Sequence, residues 1–151
     1  MKESGLLVQG QFSQAKLQEV VEVSKTRMKK LSDIVGLSDF FFTNKLIYEK
    51  KMLSWQKMGE LDIVESLKTS EQALQEIKKW DIKNLEKELF LASEKFNIKK
   101  GYHAQNRGYL LWPLRVALSG KQSSPSPFEI AGILGREKTL KRVEDAIKLY
   151  E

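Results

Sequence analysis

The chain has no cysteine in 151 residues, which removes disulfides, thiolate metal sites and cysteine nucleophiles together. This is compatible with a reducing compartment. It has one histidine, His103, so paired-histidine catalysis and two-histidine metal motifs are excluded, and His103 itself reads as a surface residue. No apolar run approaches the roughly 18 to 20 residues that cross a bilayer. Residues Met1–Gln9 hold only Leu6-Leu7-Val8 behind Glu3, short of a secretory signal and read as a linker. Phosphate-binding glycine loops are missing as well, because neither Gly101–Gly108 nor Gly132–Gly135 has the required spacing after a strand. Acid pairs such as Glu86 with Glu88 and Glu144 with Asp145 sit beside lysines on exposed helix faces and read as solvated surface. Nothing assembles into an active site, and the length suits one ordinary core or two small ones.

What is present is a globular composition, 41% hydrophobic and 30% charged, with a net charge of +6 from 26 basic and 20 acidic residues. That surplus says little alone, but its distribution is uneven. From Lys99 to Lys121 the cations Lys99, Lys100, Arg107, Arg115 and Lys121 occur without any acid, and Tyr102, Tyr109 and Trp112 lie between them. Cations that neutralise phosphates, interleaved with rings that stack on bases, suit unpaired nucleic acid. A second acid-free cluster is Lys25, Arg27, Lys29 and Lys30.

Apolar residues recur at helical spacing and period-two alternation is nearly absent, so the expected class is all-α. Gln11–Leu31 reads as one long amphipathic helix, with a break allowed by Ser32-Asp33 and Gly36. Phe40-Phe41-Phe42 cannot all face one stripe and is expected to fill a junction between helices by burial. Lys45–Lys57 and Glu60–Lys79 are read as helical, the latter with Leu61, Val64, Leu67, Leu74 and Ile77 as its stripe. Asp81 is expected to cap Ile82–Phe96, whose stripe is Leu85, Leu89, Ala92 and Phe96, and Gly101 to stop that helix. Pro113 fits the first turn of a helix, which predicts a start near Trp112 and an end at Gly120. Ser126-Pro127-Phe128-Glu129 spells a capping box, and Gly135 separates Phe128–Leu134 from a last helix with Leu140, Val143 and Ile147 inward.

Three ordered segments, Trp112-Pro113-Leu114-Arg115-Val116-Ala117-Leu118-Ser119-Gly120, Ser124-Pro125-Ser126-Pro127-Phe128-Glu129-Ile130 and Ile133-Leu134-Gly135-Arg136-Glu137-Lys138, resemble the C-terminal signature of bacterial and organellar glutamyl-tRNA synthetases. Arg27-Met28-Lys29-Lys30-Leu31-Ser32-Asp33 with the Phe40–Phe42 cluster resembles that family's preceding helical domain. The resemblance implies two adjoining helical subdomains, 1–50 and 51–151, forming an anticodon-binding cage for tRNA(Glu), with tRNA(Gln) as an open second partner. It implies that Arg115 meets the middle anticodon base, that Ser124 and Pro125 form the loop at the second and third bases, and that Phe128 belongs to that pocket. Pro127 would stand at the third-base contact; here Ser126 and Pro127 replace the glycine and aliphatic residue of many relatives.

Arg27 would inspect the first base, while Lys25, Lys29, Lys30, Arg107 and Lys121 would position phosphates. Lys51-Met52-Leu53-Ser54 loosely echoes a class I catalytic loop but lacks its second lysine and falls in a predicted helix. No catalytic residue, metal or cofactor is expected in this chain; ATP and magnesium would belong to the catalytic half of the parent ligase. The resemblance further implies a cytoplasmic monomer without membrane contact. Two other readings remain open at this point: a helix-turn-helix DNA binder built on Phe128–Leu134 and Arg136–Tyr150, and a helical protein-interaction module.

Overall fold

The computed structural model describes residues 14–25 and 39–151. The backbone gathers into two compact units, Met1–Leu46 and Ile47–Glu151. The described residues form six α-helices and two 3-10 turns, with no strand among them, so the all-α expectation holds. No helix among them is long and apolar enough to cross a membrane.

In the first unit α1 spans Gln14–Ser24, with Val20 and Ser24 buried. The rest of the helix expected over Gln11–Leu31, and the break at Ser32-Asp33 and Gly36, lie outside the described residues. Asp39–Phe41 makes a 3-10 turn. Phe40, Phe41 and Phe42 are all buried, the first two with ring centroids 4.2 Å apart, which agrees with a structural role for this cluster.

The second unit opens irregularly. The helix expected over Lys45–Lys57 is reduced to a 3-10 turn at Lys50–Leu53, and Lys51-Met52-Leu53-Ser54 falls in and just after that turn. Extended backbone at Glu49 (ψ 133°) and Ser54 (ψ 129°) bounds the turn; the Trp112 indole takes the Met52 carbonyl that a helix would offer to the Gln56 amide, and Gln56 itself is left-handed at φ 55°. The Ser54 hydroxyl closes the turn by donating to the Met58 carbonyl at 3.1 Å.

Helix α2 runs Glu60–Gln75 and buries Ile63, Ser66, Leu67, Ser70 and Leu74. Leu61, expected on this stripe, is 87% exposed, because two residues turn the helix by roughly 200° and place it opposite Ile63. Helix α3 spans Ile82–Lys100; the Asp81 carboxylate accepts from the Asn84 amide at 2.8 Å, and Gly101 closes the helix at φ 78°. Both caps were expected. Asn97, fully buried, donates its side-chain amide to the carbonyls of His103, Ala104 and Asn106 at 3.1, 3.3 and 2.8 Å. That staple shapes the loop carrying Tyr102 and Arg107.

Helix α4, Gly108–Ser119, is the hub: it packs against α2, α3 and the last two helices, α5 (Pro127–Leu134) and α6 (Arg136–Lys148). Leu110, Leu114, Val116, Ala117 and Leu118 are buried, and burying each leucine contributes roughly 1.5–3 kcal/mol. The helix does not start near Trp112. Pro113 lies inside it, where the missing N–H leaves the Tyr109 carbonyl without its helical donor. The Ser66 hydroxyl of α2 supplies that hydrogen bond at 2.8 Å. A local reading of Pro113 could not find a donor 47 positions earlier in the chain.

Beyond α4 the local signals hold. Gly120 caps it at φ 69°. Ser126 and Glu129 form the reciprocal capping box with Pro127 at the first position of α5, and Gly135 (φ 86°) divides α5 from α6. Val143 and Ile147 point inward, as expected, while Leu140 is half-buried.

Ser66→Ala strands the Tyr109 carbonyl and should cost about 1–3 kcal/mol in urea unfolding. In a Pro113→Ala background residue 113 regains its N–H, so the same Ser66→Ala change should cost less than half as much. Equal costs in the two backgrounds would contradict the compensation.

Candidate nucleic-acid interface

One side chain of α4 reaches across the segment Gly120–Ser126 between α4 and α5. The Arg115 guanidinium donates through Nη1 to the Ser124 carbonyl at 3.2 Å and through Nη2 to the Gln122 carbonyl at 2.9 Å. Its Cζ lies over the Trp112 ring, 4.8 Å from the centroid, and the Trp112 indole N–H donates to the Met52 carbonyl at 2.9 Å. Planar donors on a stacked guanidinium suit this task in a way a lysine cannot match. Arg115 is half-buried, at the edge of the α4 stripe where the sequence reading placed it. At the base of the loop the Ser119 hydroxyl donates to the Arg115 carbonyl at 2.8 Å and accepts from the Lys121 amide at 3.1 Å.

The loop turns its named side chains inward. Ser124, Pro125, Pro127 and Phe128 are buried, and the Ser124 hydroxyl donates to the Pro125 carbonyl at 2.9 Å. Gln122 and Ser123 form the exposed rim. Phe128 meets Phe90 of α3 edge to face, with centroids 5.2 Å apart, and the Arg107 guanidinium covers the Phe90 ring at 3.8 Å. Phe90 thus joins Arg107 on its face to Phe128 at an edge contact, and Phe90 and Arg107 line a recess of about 270 Å³. Phe90 was not singled out in the sequence. The available signal was a large aromatic placed off the Leu85, Leu89 and Phe96 stripe of its helix.

The acid-poor stretch is less open than its sequence suggests. Lys99 pairs with Glu65 at 3.0 Å, and Lys100 pairs with Asp62 at 2.8 Å and Glu65 at 2.9 Å, so α2 brings acids to cations that have none nearby in the chain. These lysines hold the Glu65 carboxyl below its usual range, Lys100 contributing most, and Asp62 followed by Glu65 raises Lys100. Arg107 is exposed and Lys121 half-buried. In the first unit Lys25 is exposed and paired with Glu22 at 3.2 Å, whereas Arg27, Lys29 and Lys30 lie outside the described residues.

Helix α6 presents few cations to a groove. Arg136 donates to the carbonyls of Leu74, Gln75 and Ile77 at the end of α2 and lies over the Trp80 ring. Arg142 is buried and donates to the Leu118 carbonyl at the end of α4; burial lowers its pKa to about 10 despite the Tyr48 hydroxyl nearby. Burial, with Arg142 one turn on, lowers Lys138 to about 8. Lys141 and Lys148 pair with Asp145 and Glu144. These engagements weigh against a DNA-recognition helix.

A third group of aromatics comes from α4, the connection before it and the segment before α2. Trp55 and Trp112 have ring centroids 5.3 Å apart, and Tyr102 and Tyr109 stack at 3.8 Å with an interplanar angle of 11°. The Trp55 indole lies against Gly108: a Cβ there would sit 2.2 Å from its ring, so only glycine admits this approach.

An all-α unit in which an arginine of α4 ties down the loop between α4 and α5 defines a helical module with a braced interhelical loop. The anticodon binding domain family matches this chain over residues 5–147, and the chain belongs to that family. Among curated relatives it is 35% identical over 134 residues to the glutamate–tRNA ligase of Clostridium kluyveri and 38% identical over 133 residues to that of Clostridium botulinum strain Okra, covering 86% and 85% of this chain. In both cases it spans 26% of the relative's length. The fold is similar to that of a glutamate tRNA ligase from Elizabethkingia meningosepticum, with a TM-score of 0.77, 19% identity, and coverage of 99% of this chain and 28% of that one. It is also similar to the glutamate-tRNA synthetase of Elizabethkingia anophelis, with a TM-score of 0.69, 21% identity, and coverage of 91% and 25%.

Gly108→Ala should displace the Trp55 indole and cost about 1–3 kcal/mol, as overpacking does. Trp emission should shift to the red as the indole moves toward solvent. An unchanged spectrum and an unchanged urea midpoint would show that the contact is not tight.

Proposed function

We propose that this chain is the anticodon-reading part of a glutamate–tRNA ligase and holds the unstacked anticodon bases of tRNA(Glu). The observation that carries this reading is the Arg115 brace. An anchored guanidinium keeps the backbone of Gln122–Ser124 in one shape, and a fixed backbone with polar edges can discriminate a base where a floppy loop cannot. The middle base meets Arg115 and the Gln122–Ser123 rim. Ser124 and Pro125 shape the wall between the second and third bases, and buried Pro127 and Phe128 form the floor beneath the third. Arg27 inspects the first base. Lys25, Lys29, Lys30, Arg107 and Lys121 steer and position phosphates, a contribution that salt weakens and sequence does not alter.

In the parent enzyme, glutamate is joined to the tRNA with ATP and magnesium, and the residues for that chemistry belong to a catalytic part outside this chain. The module works as a cytoplasmic monomeric unit of that enzyme. Its curated relatives named as glutamate–tRNA ligases support the choice of tRNA(Glu), and tRNA(Gln) is the natural second probe.

Anisotropy titrations test this with anticodon stem-loops of tRNA(Glu) and tRNA(Gln), a stem-loop with an altered triplet, and duplex DNA. The tRNA(Glu) loop should bind most tightly. Arg115→Ala should lose on the order of tenfold in discrimination at the middle base. Lys121→Ala should weaken every RNA alike and lower the salt slope by about one. Equal affinity of the unaltered chain for all four probes would reduce its binding to general electrostatics and overturn the assignment.

A further inference from the structure

An open recess of about 470 Å³, lined by Gln56, Lys57, Met58, Tyr102 and Tyr109, lies near the aromatic side of α4. Its size is within the roughly 300–1,000 Å³ of small-ligand sites. Each part of a nucleotide finds a matching group there. Tyr102 and Tyr109 present a stacked aromatic wall, and the Tyr109 hydroxyl donates to Gln56 Oε1 at 3.3 Å, orienting the amide. Met58 is buried, while Lys57 is exposed beside the opening. The carboxylates nearest this wall, Asp62 and Glu65, are already matched by Lys100 and Lys99.

Two further observations point the same way. Gln56 is the one non-glycine residue at positive φ among the described residues, at 55°. Such backbone strain concentrates at binding sites, where the geometry it imposes is used. Tyr109, Trp112 and Arg115 also follow one another at three-residue steps on α4. At roughly 1.5 Å per residue the recess edge is about 9 Å along the axis from Arg115, a separation that a nucleotide neighbouring the triplet can span. The Trp55–Trp112 pair fills the interval.

We infer that the Gln56–Lys57–Tyr102–Tyr109 recess binds an unpaired nucleotide adjoining the anticodon triplet, with its base on the tyrosine wall, its edge on the Gln56 amide and its phosphate at Lys57. This rests on the anticodon-binding reading given above and adds a subsite that does not read the triplet. It extends grip on the loop and thereby fixes the register in which the triplet reaches Arg115.

The test uses the full chain and anticodon stem-loops carrying 2-aminopurine at one or the other loop position flanking the triplet. Saturation should quench the probe at one of these positions, and Tyr102→Ala should abolish the quench and weaken binding on the order of tenfold. Gln56→Gly relieves the backbone strain without endangering the fold, which circular dichroism checks. It should weaken cognate and altered triplets by the same factor, roughly 2- to 10-fold. Triplet preference without a quench at either position, or with Gln56→Gly binding as tightly as the unaltered chain, overturns the subsite and leaves the Arg115 reading standing. Absence of any triplet preference overturns both.

Discussion

The bridge from Arg115 to the carbonyls of Gln122 and Ser124 is the interaction on which the candidate interface depends. The polar stretch Lys121–Ser123 has little of its own to set against the entropy of being ordered, about 1–2 kcal/mol per residue for the backbone alone. Here a guanidinium stacked on Trp112 takes the carbonyls of Gln122 and Ser124, and the buried Ser124, Pro125 and Pro127 anchor the far end of the loop. The loop is thereby tied to the helix that the rest of its unit packs around. Rigidity at the core becomes rigidity at the rim.

That helix is itself conditional. Pro113 costs α4 a hydrogen bond in mid-helix, and the loss is offset by Ser66 from α2. Pro113 precedes Arg115 by two residues and follows Trp112 directly, so the stability of the brace and the tolerance of the proline are properties of the same turn. Similar cross-helix compensation recurs: Arg136 satisfies carbonyls at the end of α2, and Arg142 does so at the end of α4. Several cations of this basic chain therefore act on its own helix ends, which explains why net charge is a poor guide to where RNA would bind.

Features governed by neighbours in the chain were legible in the sequence. The Asp81 cap, the stops at Gly101 and Gly120, the Ser126–Glu129 capping box and the break at Gly135 all appear where short-range hydrogen-bonding rules put them. Features decided by distant partners were not. The start of α4 depends on Ser66, the availability of Lys99 and Lys100 depends on acids of α2, and the loss of a helix over Lys45–Lys57 accompanies the left-handed Gln56. For the interface, the sequence named Arg115 and its loop as candidates but could not say that the guanidinium faces the loop's own backbone. Phe90 escaped because it lies off the Leu85, Leu89 and Phe96 stripe of its helix.

Amide hydrogen exchange of Lys121–Ser124 in the unaltered chain and in Arg115→Lys tests the brace most directly. A lysine keeps the charge but cannot span both carbonyls. The account predicts that exchange in the loop accelerates on the order of tenfold while α6 keeps its protection. Identical loop exchange in the two proteins would show that the loop holds its own shape without Arg115, and would contradict the claim that this side chain organises the interface.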